Sequence, residues 1–98
     1  MAVLCELRVT GGTREQAMGL EQQVEQRLEA AGGPPDGLMF VCLHPDGQGF
    51  RLVMVFRSTE AALAEVDGFL RADAATVGLD LGEAVLSPVW SMALPGAP

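Results

Sequence analysis

Val3, Cys5, Leu7 and Val9 alternate with Leu4, Glu6 and Arg8, a period of two that predicts a strand over residues 2–10 with one apolar and one mixed face. Gly11-Gly12 ends it. The period then lengthens: Ala17, Leu20, Val24, Leu28 and Ala31 recur at helical spacing, the apolar stripe of a helix of about five turns. Thr13 and Gln16 stand at the spacing of a capping box, in which two orphan helix N–H groups are satisfied reciprocally. Gly32-Gly33-Pro34-Pro35 stops the helix. Residues 38–44 and 50–56 read as two strands of a hairpin, joined by the turn chemistry of Pro45-Asp46-Gly47-Gln48-Gly49. Ser58 or Thr59 caps a second helix, whose expected buried stripe is Ala62, Leu63, Val66, Phe69 and Leu70. Residues 73–82 read as a helix end and loop. Residues 83–94 form a last strand, interrupted by Pro88 and so expected at an edge or a bulge.

The order β-α-β-β-α-β defines an α+β fold of the ferredoxin-like kind, an antiparallel sheet with two helices on one face. The first strand should lie between the third and the fourth, with the second at the far edge. The third strand carries Phe50, Leu52, Met54 and Phe56 on one side, and Val53 and Val55 between Arg51 and Arg57 on the other. The second strand is apolar on both sides, Leu38, Phe40 and Cys42 against Met39, Val41 and Leu43. A sheet face left to water should alternate. Two apolar faces in a chain with no third layer therefore predict a second copy as the cover, by closed two-fold symmetry. The expected organisation is one domain over 1–94 with a loose tail at 95–98.

Composition narrows the function classes. Of 98 residues, 49% are hydrophobic and 19% charged, which predicts a folded chain. The formal net charge is −7, carried against six Arg and no Lys. Nucleic acids and anionic membrane surfaces are thus not expected partners, because both call for a basic patch. Met1 to Val9 lacks the charged start and apolar run of a leader, and no apolar stretch reaches the ~18 residues of a membrane span. A cytoplasmic location follows as the expectation, with Cys5 and Cys42 reduced. The expected topology holds these two cysteines too far apart for a disulfide. One His and two separated Cys make no metal site, so neither metal nor cofactor is expected.

The turn Pro45-Asp46-Gly47, the strand over 50–56, the run Arg57-Ser58-Thr59-Glu60-Ala61-Ala62 and the late Val89-Trp90-Ser91-Met92 resemble the antibiotic biosynthesis monooxygenase family. The resemblance implies a dimeric α/β barrel, in which two sheets pair face to face and each subunit holds a pocket between sheet and helices. It also implies oxygenation of a small aromatic or polyketide-like compound without metal or flavin. Oxygenases of this type rely on Asn, Trp and Tyr, and this chain has neither Asn nor Tyr. A haem-degrading set needs Asn, Trp and His, of which only His44 and Trp90 are present.

The candidate catalytic residues are accordingly His44, whose ordinary pKa lies near neutrality, and Trp90, which can pack a flat ring. The candidate substrate-binding residues are Arg51, which can hold a phenolate or carboxylate, with Phe40, Trp90 and Met92. Each has a plainer role: a strand-end residue for His44, an interface anchor for Trp90, a cross-strand ion pair for Arg51 and core packing for Met92. The alternative function is a non-catalytic dimer that binds a small ligand or assembles with a partner. A third reading is an amino-acid-binding regulatory domain of the same topology.

Overall fold

A computed structural model describes residues 1–93, so the tail expected at 95–98 lies outside the described residues. The elements are β1 (Val3–Val9), α1 (Arg14–Ala31), β2 (Leu38–Asp46), β3 (Gly49–Phe56), α2 (Thr59–Glu65), a π-helical turn (Val66–Leu70), α3 (Arg71–Thr76) and β4 (Val85–Pro88). The strands form one antiparallel sheet in the order β2-β3-β1-β4. This is the α+β, ferredoxin-like arrangement that the order of elements predicts. The helices cover one face and pack chiefly over β1 and β3.

The core lies between that face and the helices. Val3, Cys5, Leu7 and Val9 sit opposite Phe56, Met54, Leu52 and Phe50 across the β1–β3 ladder, and all of these residues are buried. Burying a large aliphatic or aromatic side chain contributes about 1.5–3 kcal/mol, so this double row is the main source of stability. Gly49 opens β3 where the backbone of β1 passes closest. A Cβ on Gly49 would collide with the carbonyl oxygen of Val9, so glycine is required there for proximity rather than for its φ.

The caps form as the sequence predicts. The Gln16 N–H donates to Thr13 Oγ1 at 3.1 Å, and the Thr13 N–H donates to Gln16 Oε1 at 3.1 Å. Gly32, at φ 90°, ends α1 in the left-handed conformation, with its N–H donating to the Glu29 carbonyl at 3.2 Å. Ser58 rather than Thr59 caps α2, accepting from the Ala61 N–H at 3.1 Å.

Three expectations need correction. The first concerns β2. Leu38 pairs with Phe56 but Phe40 pairs with Val55, so a bulge at Met39 resets the alternation. Leu38, Val41 and Leu43 face the helices, whereas Phe40, Cys42 and His44 face away. The second concerns the last strand, expected over 83–94, which among the described residues runs only from Val85 to Pro88; Leu94 lies outside them. Pro88 pairs with Val3, the first residue of β1, and beyond it this sheet offers no further partner strand. The third concerns the helices. Leu63 and Phe69 are 40% and 53% exposed, and Ala31 is exposed as well. The buried stripe is Ala62, Val66, Leu70 and Ala74, spaced four apart. The π-helical turn explains this spacing, because its i→i+5 bonding winds at about 4.4 residues per turn instead of 3.6.

Candidate functional site

Because the helices pack chiefly over β1 and β3, the edge strand β2 is left partly uncovered on its helix side. Val41 is 54% exposed although it faces the helix layer. Between β2 and α1 a cleft of about 380 Å³ opens. Its walls are aliphatic: Leu20, Val24 and Leu28 from α1, then Leu43, Leu52 and Met54 from the sheet, with Leu70 at the end of the π-helical turn. Glu21 and Glu25 stand on the exposed side of α1 at the rim, and Cys42 reaches it from the edge strand.

Glu65 also borders the cleft, yet it is not an available acid or base. Arg27 Nη1 and Nη2 donate to Glu65 Oε1 and Oε2 at 3.0 and 2.9 Å, and Arg27 Nε donates to Asp73 Oδ2 at 2.8 Å. The Arg27 guanidinium also stacks over Phe69, 5.1 Å from the ring centroid. Burial disfavours the Arg27 cation. The hydrogen bonds and charges of Glu65 and Asp73 together outweigh burial, and its pKa is raised. Neither composition nor periodicity announces this buried triad. Its only trace is acidic residues at 65 and 73 with the wrong spacing for one face of a regular helix.

The opposite face of the sheet carries no helix. Leu4, Phe40, Val53 and Val55 lie there on neighbouring strands, beside a group of charges. Arg8 Nε and Arg51 Nη2 both reach Asp46 Oδ2, at 3.0 and 3.1 Å, and Arg51 Nη1 lies 3.7 Å from Glu6 Oε2.

None of the candidate residues lines the cleft. Phe40 and Arg51 share the open face, with Arg51 held by Asp46 and Glu6. His44 comes closest, bordering a neighbouring hollow that shares Met18 and Leu43 with the cleft. His44 Nδ1 lies 3.0 Å from the Pro45 carbonyl oxygen, an acceptor, so Nδ1 carries the proton and Nε2 is the basic nitrogen. Trp90 and Met92 lie beyond β4, 92% and 39% exposed. The cleft residues were in the sequence as ordinary helix and strand apolar positions, which periodicity assigns to the core. Cys5 and Cys42 are both free. Burial pushes the Cys5 thiol up, so it stays protonated near neutrality and is a poor nucleophile.

No protein-family profile and no curated protein matches the sequence. Solved structures do match. Rv0793 from Mycobacterium tuberculosis superposes with a TM-score of 0.54 at 15% identity, over 97% of this chain and 99% of that one. A Chloroflexus aurantiacus J-10-fl protein, provisionally named an antibiotic biosynthesis monooxygenase, superposes with a TM-score of 0.54 at 17% identity, over 94% and 95%. The chain shares their fold. The resemblance to antibiotic biosynthesis monooxygenase-like proteins thus extends from a few motifs to the whole architecture. Among the described residues, no helix is long and apolar enough to cross a membrane.

Proposed function

We propose that the chain acts as a homodimer and takes a small, flat, apolar compound into the cleft between α1 and the sheet. The observation that carries this reading is the lining, a cleft of about 380 Å³ walled by Leu, Val and Met. That volume lies in the usual range of small-molecule sites, which are mostly apolar. Support for the second copy comes from the open face, where the half-buried Leu4, Phe40 and Val53 make an apolar strip around the buried Val55 that a lone sheet would leave partly to water. Phe40 and Arg51 then stand at the seam between subunits.

The fold likeness favours a finer second reading, oxygenation of the bound compound by dioxygen with no cofactor. The apolar lining accommodates dioxygen and an electron-rich ring together. The ring supplies all the electrons: a CH₂ carbon becomes a carbonyl, one oxygen atom stays on that carbon and the other leaves as water. His44, whose register places it on the face away from the helices but on the edge strand that borders the neighbouring hollow, takes from that edge the proton that converts the compound to its reactive anion. In this reading Arg51, Trp90 and Met92 serve at the subunit seam.

Titration with Nile red, a neutral apolar dye, followed by competition with a panel of phenols and quinols, tests the site. Val24→Phe fills the α1 wall and is expected to weaken dye binding at least tenfold while leaving the urea midpoint nearly unchanged. Equal affinity in the variant would place binding elsewhere. An oxygen electrode with the best competitor tests the second reading. His44→Gln should slow oxygen uptake without changing dye affinity, and no uptake by the unmodified protein would leave binding alone.

A further inference from the structure

The charged residues that line the cleft all carry one sign. Glu21 and Glu25 stand at the rim and Glu65 in the wall, and among the described residues none of the six Arg lines it. The rest of the lining is uncharged. Four of the Arg are engaged with carboxylates elsewhere. Arg8 and Arg51 meet Asp46 on the opposite face of the sheet, Arg71 holds Asp67, and Arg27 is held between Glu65 and Asp73.

Two features give this asymmetry a consequence. The first is the rim pair. Glu21 and Glu25 are four positions apart on α1 and so stand side by side on one face, where like charges repel. Among the described residues neither belongs to an ion pair. The second is the triad at the wall. One guanidinium stands between two carboxylates, which leaves one negative charge over, at side chains only 6% and 12% exposed. Charge in a poorly solvated wall is weakly screened, and apolar surroundings focus its field into a cleft. The cleft is thus negative at its rim and at its wall, and its lining supplies no cation to answer either.

We propose that the cleft takes a cation: an amine with a flat apolar body, the body lying against the aliphatic walls and the ammonium group held at the rim by Glu21 and Glu25. The proposal rests on the reading of the cleft as a small-molecule site. Solvation sets this orientation. Deep in the cleft an ammonium group would lose its water and find poor acceptors, because both oxygens of Glu65 are already taken by Arg27. At the rim it keeps part of its water and gains two carboxylates, while the ring leaves water for an apolar wall. A carboxylate on the same body meets two like charges at the rim and no Arg in the lining, so acids and phenols enter un-ionised.

Displacement of Nile red by three compounds that share one ring system tests the charge preference: naphthylmethylamine, a cation, naphthylmethanol, neutral, and naphthoate, an anion. The amine is expected to compete at least tenfold better than naphthoate, with the alcohol between them. Glu21→Gln/Glu25→Gln keeps the length and helical character of two exposed side chains, so the fold is not at stake. It should cut the amine-to-naphthoate ratio at least threefold, and a ratio cancels any loss common to the three compounds. Equal competition by all three in the unmodified protein overturns the preference and leaves the apolar cleft standing. A ratio unchanged in the double variant overturns the role of the two rim residues. Calorimetric titration with the amine alone covers a cleft too narrow for the dye: heat of binding that the double variant loses supports the proposal. Silence from both dye and amine removes the small-molecule reading and the proposal together.

Discussion

Arg27→Met is expected to destabilise the protein by about 3–5 kcal/mol, the usual cost of removing one partner from a buried ion pair. The side chains of Glu65 and Asp73 are only 6% and 12% exposed, and Arg27 supplies three of their charge-assisted hydrogen bonds. Without it, two carboxylates face each other in a poorly solvated site. Methionine keeps the length and the packing on Phe69 but none of the donors. The triple variant Arg27→Met/Glu65→Leu/Asp73→Leu removes all three charges and should recover most of the loss, because an apolar replacement incurs no desolvation of ions. Urea unfolding of both variants checks the pair. A single variant within 1 kcal/mol of the parent by the same measure would mean that water already screens the triad.

Phe56→Ala is expected to cost about 3–5 kcal/mol as well, by a different route. Phe56 is fully buried at the end of β3, opposite Val3 on one side and Leu38 on the other. Removing the ring loses its transfer free energy and leaves a void between two ladders that cannot close in. Phe56→Leu keeps most of the volume and should lose much less. For a domain whose whole stability is about 5–15 kcal/mol, the alanine variant leaves a small margin. A midpoint shift in urea with an unchanged slope is the expected signature. A changed slope would instead indicate an altered unfolded or partly folded state.

The places where the sequence reads well are those where one period runs unbroken. β1 keeps strict alternation from Val3 to Val9, and the capping box at Thr13 and Gln16 marks the start of α1. β3 puts Phe50, Leu52, Met54 and Phe56 on one face, as its pattern says. Misreadings arise where one residue is added to a period. The bulge at Met39 moves Phe40 and Cys42 to the face opposite Leu38, and no local residue type announces it, since Met39 and its neighbours are all apolar. The π-helical turn does the same to the second helix, and so Phe69, which regular helical spacing assigns to the core, is half exposed under Arg27. The cleft was illegible for another reason. Its existence depends on how far the helix layer extends over β2, a tertiary quantity, whereas His44 and Trp90 stand out as the single residues of their kind and Arg51 as a charge on a strand.

The π-helical turn also sets a lower limit on how this chain can be shortened. Glu65 and Asp73 are eight positions apart, which on a regular helix separates their directions by about 80°. The wider turn between them absorbs that angle and lets one guanidinium hold both. Residues 66–70 therefore contain, in effect, one residue more than the helix needs for its length. A deletion there would turn the second half of the helix away from Arg27 and, because the same turn spaces the buried stripe four apart, would also move Ala74 off the core. The ion triad and the extra residue are thus a single structural unit: neither can be lost without making the other a defect.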